Sequence, residues 1–348
     1  MFQLFLNKRE CYWPHNFGKF IVLGILLGMA TTSTYASTLD AYAAYRSVAG
    51  KIIPAQVGKS IETKLQDQGF VRGKTALLYP KLSAIPLFYV DQNTNGGNPK
   101  KPLRIGNLTF SGQPQLEKRS GIVAGIRANL RYRHSTGWGK YLDFDASASE
   151  SISIPSLDKI KGSAFTLCSV NYIQNWTYLD ACYSEANNEK ELSSSTVKSK
   201  QISFSRHFDL SNATYSKASL GFQEINYGKY DQTSVTVGLK TLSQKRRVTI
   251  ELKYGDQPSL PTQHSLKYSG KISSNFNFMR RSGQISFSAA KYGRSKIFGY
   301  DRNDTSQTVT LSTNVSAHIN LQLGYHKNTS SIDYYSDEYP ILSLSFIN

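Results

Sequence analysis

Repeated alternation of apolar and polar residues, a basic and then apolar N-terminus, and no later apolar run of about eighteen residues predict an all-β fold. The fold class they point to is a transmembrane antiparallel outer-membrane β-barrel of about fourteen strands. The alternation is plainest at residues 122–133. Ile122, Ala124, Ile126, Ala128, Leu130 and Tyr132 share one face, while Gly125, Arg127, Asn129, Arg131 and Arg133 share the other. An arginine facing hydrocarbon costs ~2–4 kcal/mol at the midplane, so Arg127, Arg131 and Arg133 are expected to line the lumen. Plain solvation of a polar interior is the blander account of the three, beside a dedicated ligand site. The C-terminal stretch repeats the pattern, with Leu342, Leu344 and Phe346 opposed by Ser343 and Ser345.

Taken in order, the chain starts with Lys8, Arg9 and Lys19 ahead of the apolar run Phe20–Met29 and the small residues up to Ala36. That run is short for a bilayer span and reads as a signal peptide, residues 1–36, with cleavage expected between Ala36 and Ser37. An uncleaved anchor is the alternative. Residues 37–76 favour helix around Asp40–Tyr45 and Ile61–Gln68, with Pro54 between and Gly69 as a stop. They form a short periplasmic helical extension, either plugging the barrel mouth or poorly ordered.

The barrel is expected over 77–348. Its strands are read at 77–90, 122–133, 142–154, 163–172, 176–184, 201–208, 217–227, 233–241, 247–254, 265–273, 284–292, 308–315, 317–326 and 339–347. The segment from Asp91 to Gly112 is a loop dense in Asn, Gly and Pro. Asp301, Arg302, Asn303 and Asp304 read as a turn. Cys168 and Cys182 lie symmetrically about Asn175 in adjoining strands, where directly opposed residues bring their Cβ atoms within reach of a disulfide. An exported chain meets an oxidising compartment, which favours that bridge.

The 41 Lys+Arg against 24 Asp+Glu give a net charge of +17. Such a balance often marks a nucleic-acid binder, but here the charges are spread along strands behind an export signal, so no nucleic acid is expected. Acidic lipid head groups or a basic lumen account for the charge better. His134, His207, His264, His318 and His326 stand apart in sequence with no nucleophile arrangement around them, so no catalytic residue, cofactor or metal site is expected, and no enzyme.

Several segments resemble one family, the surface lipoprotein assembly modifiers of Gram-negative bacteria, in their C-terminal barrel domain. These are Asp91–Asn98 with Asn95, Gly96 and Gly97; Ile105–Gly112; Arg131–His134 followed by Tyr141–Phe144; Tyr300–Asp304; Lys327–Asp333; and Leu342–Phe346. The resemblance covers roughly residues 76–348. It implies a fourteen-stranded barrel in the cell outer membrane that assists export or surface display of a client lipoprotein, without enzymatic chemistry. Family members carry an N-terminal array of tetratricopeptide repeats, for which residues 37–76 are too few. The expected client-contact or gating loop is Asp91, Asn93, Asn95, Gly96, Gly97 and Asn98. The expected partners are membrane lipid and lipopolysaccharide, the barrel-assembly machinery and a surface lipoprotein client. The alternative function is a porin-like channel for small anionic solutes, suggested by the basic lumen.

Overall fold

The computed structural model describes residues 37–49, 54–71, 76–211, 214–243, 246–260, 263–278, 281–316 and 318–346. The expected signal peptide lies outside the described residues. Fourteen strands of the described chain close into one antiparallel barrel. They are β1 (Ala76–Asp91), β4 (Gly121–Gly137), β5 (Lys140–Ile154), β6 (Lys159–Tyr172), β7 (Thr177–Lys190), β8 (Ser193–Ser211), β9 (Thr214–Asn226), β10 (Asp231–Ser243), β11 (Arg247–Gly255), β12 (Ser265–Phe278), β13 (Arg281–Ile297), β14 (Tyr300–Asn314), β15 (Ile319–Ser330) and β16 (Asp337–Phe346). Each pairs with its neighbour in sequence, and β1 closes the ring by pairing with both β4 and β16. Closure leaves no strand edge unpaired, the condition for β-structure to cross a membrane.

The expected register holds. Ile126 and Leu82 are 62% and 76% exposed on the outer face, and the same face carries Phe204, Phe222, Val237, Leu252, Ile272, Phe287, Val309 and Leu323. Such an exterior is stable only against lipid. The protein is an outer-membrane barrel. The apolar belt has a definite upper limit. Two residues beyond Tyr183, Phe222 and Tyr325 on this outward face come Glu185, Glu224 and Lys327, and Tyr268 is paired with Lys291. Glu185 pairs with Lys198 at 3.4 Å on this outer charged ring.

Strands run past the belt on the side of the longer loops. Every expected strand is present, but most are longer than the alternation shows; β8 has 19 residues, more than the ~9–11 needed to cross. Beyond the hydrocarbon both faces are polar, so period two no longer marks a strand. For that reason Asp301–Asp304 belong to β14 and not to a turn; the turn is Phe298–Gly299. Residues 103–110, read as loop, form a small hairpin of β2 (Leu103–Ile105) and β3 (Leu108–Phe110).

Two helices precede the barrel. Helix α1 (Thr38–Val48) begins with a reciprocal cap: Ser37 Oγ accepts from the Asp40 N–H at 3.3 Å, and the Asp40 carboxylate accepts from the Ser37 N–H at 2.9 Å. Helix α2 (Ala55–Gln66) starts after Pro54 and buries no residue.

Candidate functional site: the two mouths and the lumen between them

At the end carrying the tight turns, α1 enters the barrel. Leu39, Ala41, Tyr42 and Ala43 are buried. His207, on the inner face of β8, places Nε2 3.1 Å from Thr38 Oγ1. Tyr42 donates to Asp209 at 2.7 Å, and Arg46 donates to the same carboxylate through Nε at 2.8 Å. Burial first, and the Asp209 carboxylate second, push the Tyr42 phenol up to about 12, so it stays a neutral donor. Asp40 pairs with Arg247 of β11. Burial alone would raise the Asp40 carboxyl, but its two hydrogen bonds from Ser37 and the charges of Arg247 and Lys240 hold it below the usual carboxylate range.

The turn between β6 and β7 supplies an aromatic seat. Trp176 sits at φ +58°, a left-handed conformation that costs an L residue ~1–2 kcal/mol. Its ring lies 5.0 Å from Tyr42, 5.4 Å from Tyr45 and 5.6 Å from Phe70. The stretch after α2 takes the neighbouring part of the mouth. Gln68 accepts from Tyr141 at 3.2 Å, and the Asp67 carbonyl accepts from Arg133 at 2.8 Å. The N-terminal segment therefore contacts the turn end from β4 round to β11.

The inner surface has two unlike walls. One, from β4 to β12, is charged. Arg131 and Arg133 both donate to Asp143, at 3.2 and 2.6 Å, and Arg133 stacks 4.4 Å above the Tyr141 ring. Arg127 lies on the same inward face, two residues from Gly125 and Asn129. Lys217, Lys240, Arg247, Glu251, Lys253 and Lys271 continue this wall. Cys168 and Cys182 face each other across β6 and β7 and are joined as a disulfide on the same inward face as Asp143. The other wall, β13 to β16, is hydroxyl and amide: Ser286 bonds Thr310 at 2.6 Å, Thr308 bonds His326 at 2.8 Å, and Ser312 donates to Asn320 at 2.8 Å.

At the opposite mouth the loop from β1 to β4 crosses the opening. Its first part is anchored at β5–β8. Thr94 donates to Asp158 at 2.6 Å, Arg119 pairs with Asp158 at 2.7 Å, and Lys190 donates to Asp91 at 2.7 Å and to the Asn93 carbonyl at 2.5 Å. Asn95 is wholly buried; its amide donates to the Glu117 carbonyl at 2.8 Å and its Oδ1 accepts from the Arg119 N–H at 2.9 Å. Asn95 thus offers no surface to a client. Gly96 takes φ +74°, and a Cβ on Gly97 would stand 2.6 Å from the Glu117 carbonyl, so the paired glycines let two loop arms touch. Asn98 holds Glu117 and its neighbours through backbone bonds to Leu116 and Lys118, each 2.7 Å. The hairpin β2–β3 reaches the far rim, where Leu103 and Ile105 pack with Ile332 and Tyr334, and Phe110 stacks on Phe298 at 5.5 Å.

The histidines are less isolated than their spacing indicates. His264 Nδ1 lies 3.2 Å from Ser295 Oγ and its Nε2 lies 3.0 Å from Asp304. Burial pushes the imidazole down, keeping it neutral. All three residues are buried, and Arg302 Nε takes both Asp304 oxygens at 3.0 Å while stacking 3.6 Å over Tyr335. A buried serine bonded to a histidine whose partner acid is held by an arginine is a clamp joining the loop before β12 to β13 and β14, not an exposed nucleophile. Among the described residues no group of three His, Cys, Asp or Glu could hold a metal ion.

Fold and lumen together define a class of protein, the outer-membrane barrel with both mouths partly covered by its own chain. No family model and no curated protein matches the sequence. Among solved structures the chain is similar to OpdK of Pseudomonas aeruginosa with vanillate (8% identity, 77% of this chain and 97% of that one, TM-score 0.39). It is also similar to OccAB3 of Acinetobacter baumannii (6%, 77% and 98%, TM-score 0.42) and to a BenF-like porin from Pseudomonas fluorescens Pf-5 (8%, 80% and 99%, TM-score 0.41). At that level the likeness says nothing about what enters the lumen.

Proposed function

We propose that the barrel is a porin-like channel passing small anionic solutes, oriented with its turn end toward the periplasm. The carrying observation is the lumen, in which a cation-rich wall faces a wall of hydroxyls and amides. A packed core would fill that space with apolar side chains; hydroxyl and amide rows instead give a moving polar solute replacement hydrogen bonds. The cations of β9 to β11 then raise the local concentration of anions over cations. The loop 92–120 and helix α1 lie at the two ends of that path and restrict it.

The reading carried by the resembling motifs, assistance to surface display of a client lipoprotein, stays as the competing account. One paired experiment separates them. Liposomes containing the purified barrel are tested for swelling in small anionic solutes, and cells lacking the gene are tested by surface proteolysis of their lipoproteins. Solute-dependent swelling with unchanged surface lipoproteins supports the channel. No swelling together with loss of a surface lipoprotein transfers the function to client display.

A further inference from the structure

The charged wall contains an arrangement that the fold does not need. Lys217 of β9 and Lys240 of β10 are direct cross-strand partners on the inward face. Like charges placed directly opposite in adjacent strands destabilise a sheet. Arg247 of β11, paired with Leu242, lies within two positions of Lys240 on the next strand. Three cations therefore meet on three consecutive strands. Two acids stand nearby: Glu251, in register with Lys271, and Asp180 of β7, which acts on Lys217 at range. Neither lysine has a hydrogen bond or ion pair among the described residues.

Beside these lysines is a cavity of about 170 Å³, lined by both lysines, by the hydroxyls of Ser37, Thr38, Ser219 and Thr249, by Leu39, Leu239 and Ile250, and by one acid, Glu251. The two ammonium groups and four hydroxyls of this lining are the donors that a carboxylate requires, and with Arg247 close by the cations outnumber the single lining acid. Besides Glu251, a second carboxylate is delivered here from α1. Asp40 pairs with Arg247, feels the charge of Lys240, and takes two hydrogen bonds from Ser37, a lining residue of the cavity.

We propose that Lys217, Lys240 and Arg247 form a binding site for a small carboxylate anion, and that Asp40 of α1 competes for it as a built-in occupant. The proposal deepens the channel reading and rests on it for its biological meaning, though the binding itself does not require flux. A carboxylate of a few carbon atoms draws the arginine and Lys240 away from Asp40. Docking of α1 then loses one of its three polar anchors, the others being Thr38 with His207 and the Tyr42 and Arg46 pair on Asp209. Solute binding and opening of the turn end are thereby linked, because each ligand of the cation cluster weakens the other.

The test is calorimetric titration of the purified, refolded full barrel with succinate, and with inorganic phosphate as the competing anion chemistry. Asp40→Asn is expected to tighten succinate binding about tenfold, since the internal competitor is lost. Lys240→Gln is expected to weaken it, and Lys296→Gln, on β13 at the opposite mouth, to leave it unchanged. Stronger binding of phosphate than of succinate, identical affinities in the parent and Asp40→Asn, or equal losses in Lys240→Gln and Lys296→Gln would each overturn the proposal. Were Lys240→Gln to fail the heat-modifiability check for folding, the Asp40→Asn comparison decides alone. Succinate binding without solute flux would remove the channel reading and leave this site standing; flux with no dependence on Asp40 does the reverse.

Discussion

Asp40 shows how a single carboxylate ties sequence to conformation. It caps its own helix and pairs with a barrel arginine 207 positions away. Its folded pKa is depressed below the ordinary 3.8, so docking gains from its ionisation above that value and loses the gain as pH falls through the folded pKa. Fluorescence of Trp176, which touches Tyr42 and Tyr45, should hold steady down to about pH 4 and change below it as α1 releases. An unchanged spectrum at pH 2 would show that Asp40 does not anchor the helix. Asp304 makes a sharper case. Asp304→Asn removes the buried carboxylate that Arg302 and His264 share, a change worth ~3–5 kcal/mol, and thermal unfolding followed by heat modifiability should reveal it. Gly97→Ala should be milder but local. Its Cβ has no room beside Glu117, so limited proteolysis should cut the 92–120 loop faster, with the barrel itself intact.

At the scale of elements, the barrel strands were legible wherever one face met lipid. Ile122–Arg133 alternates because hydrocarbon and a wet lumen lie on its two sides, and the structure keeps that phase along β4. The signal fades once the strand clears the belt. Asp301–Asp304 is polar on both faces, and only pairing with β13 and β15 reveals it as strand. The docking of α1 was legible only as one of two alternatives for residues 37–76, a plug at the barrel mouth, and none of its contacts was. Thr38 with His207 and Tyr42 with Asp209 are single contacts across 169 and 167 positions, and no local pattern encodes them. The Ser295, His264 and Asp304 clamp was hidden the same way, because its members come from the loop before β12, a bulge in β13, and β14. On β4 the two faces can be told apart directly. Spin labels at Leu130 and Arg131 should report lipid and water respectively; equal access to a lipid-phase quencher would show the register to be wrong.

For the molecule as a whole, both mouths are covered from within one chain: loop 92–120 lies across one, and residues 37–49 and 67–70 occupy part of the other. Between them lies a lumen whose charge is concentrated on β4 to β12, facing neutral hydroxyl and amide rows on β13 to β16. The disulfide between β6 and β7 stiffens the charged side, to which both α1 and residues 67–70 attach. Alkylation of the unreduced, denatured mature protein should label neither Cys168 nor Cys182. The central claim is that this lumen conducts and prefers anions, and the most direct measurement is the reversal potential of the purified barrel in a planar bilayer under a salt gradient. The account predicts a reversal potential of the anion-selective sign, moving toward zero in a Lys217→Gln, Lys240→Gln double variant. A cation-selective potential, or a folded barrel that carries no current with residues 37–71 removed, would contradict it.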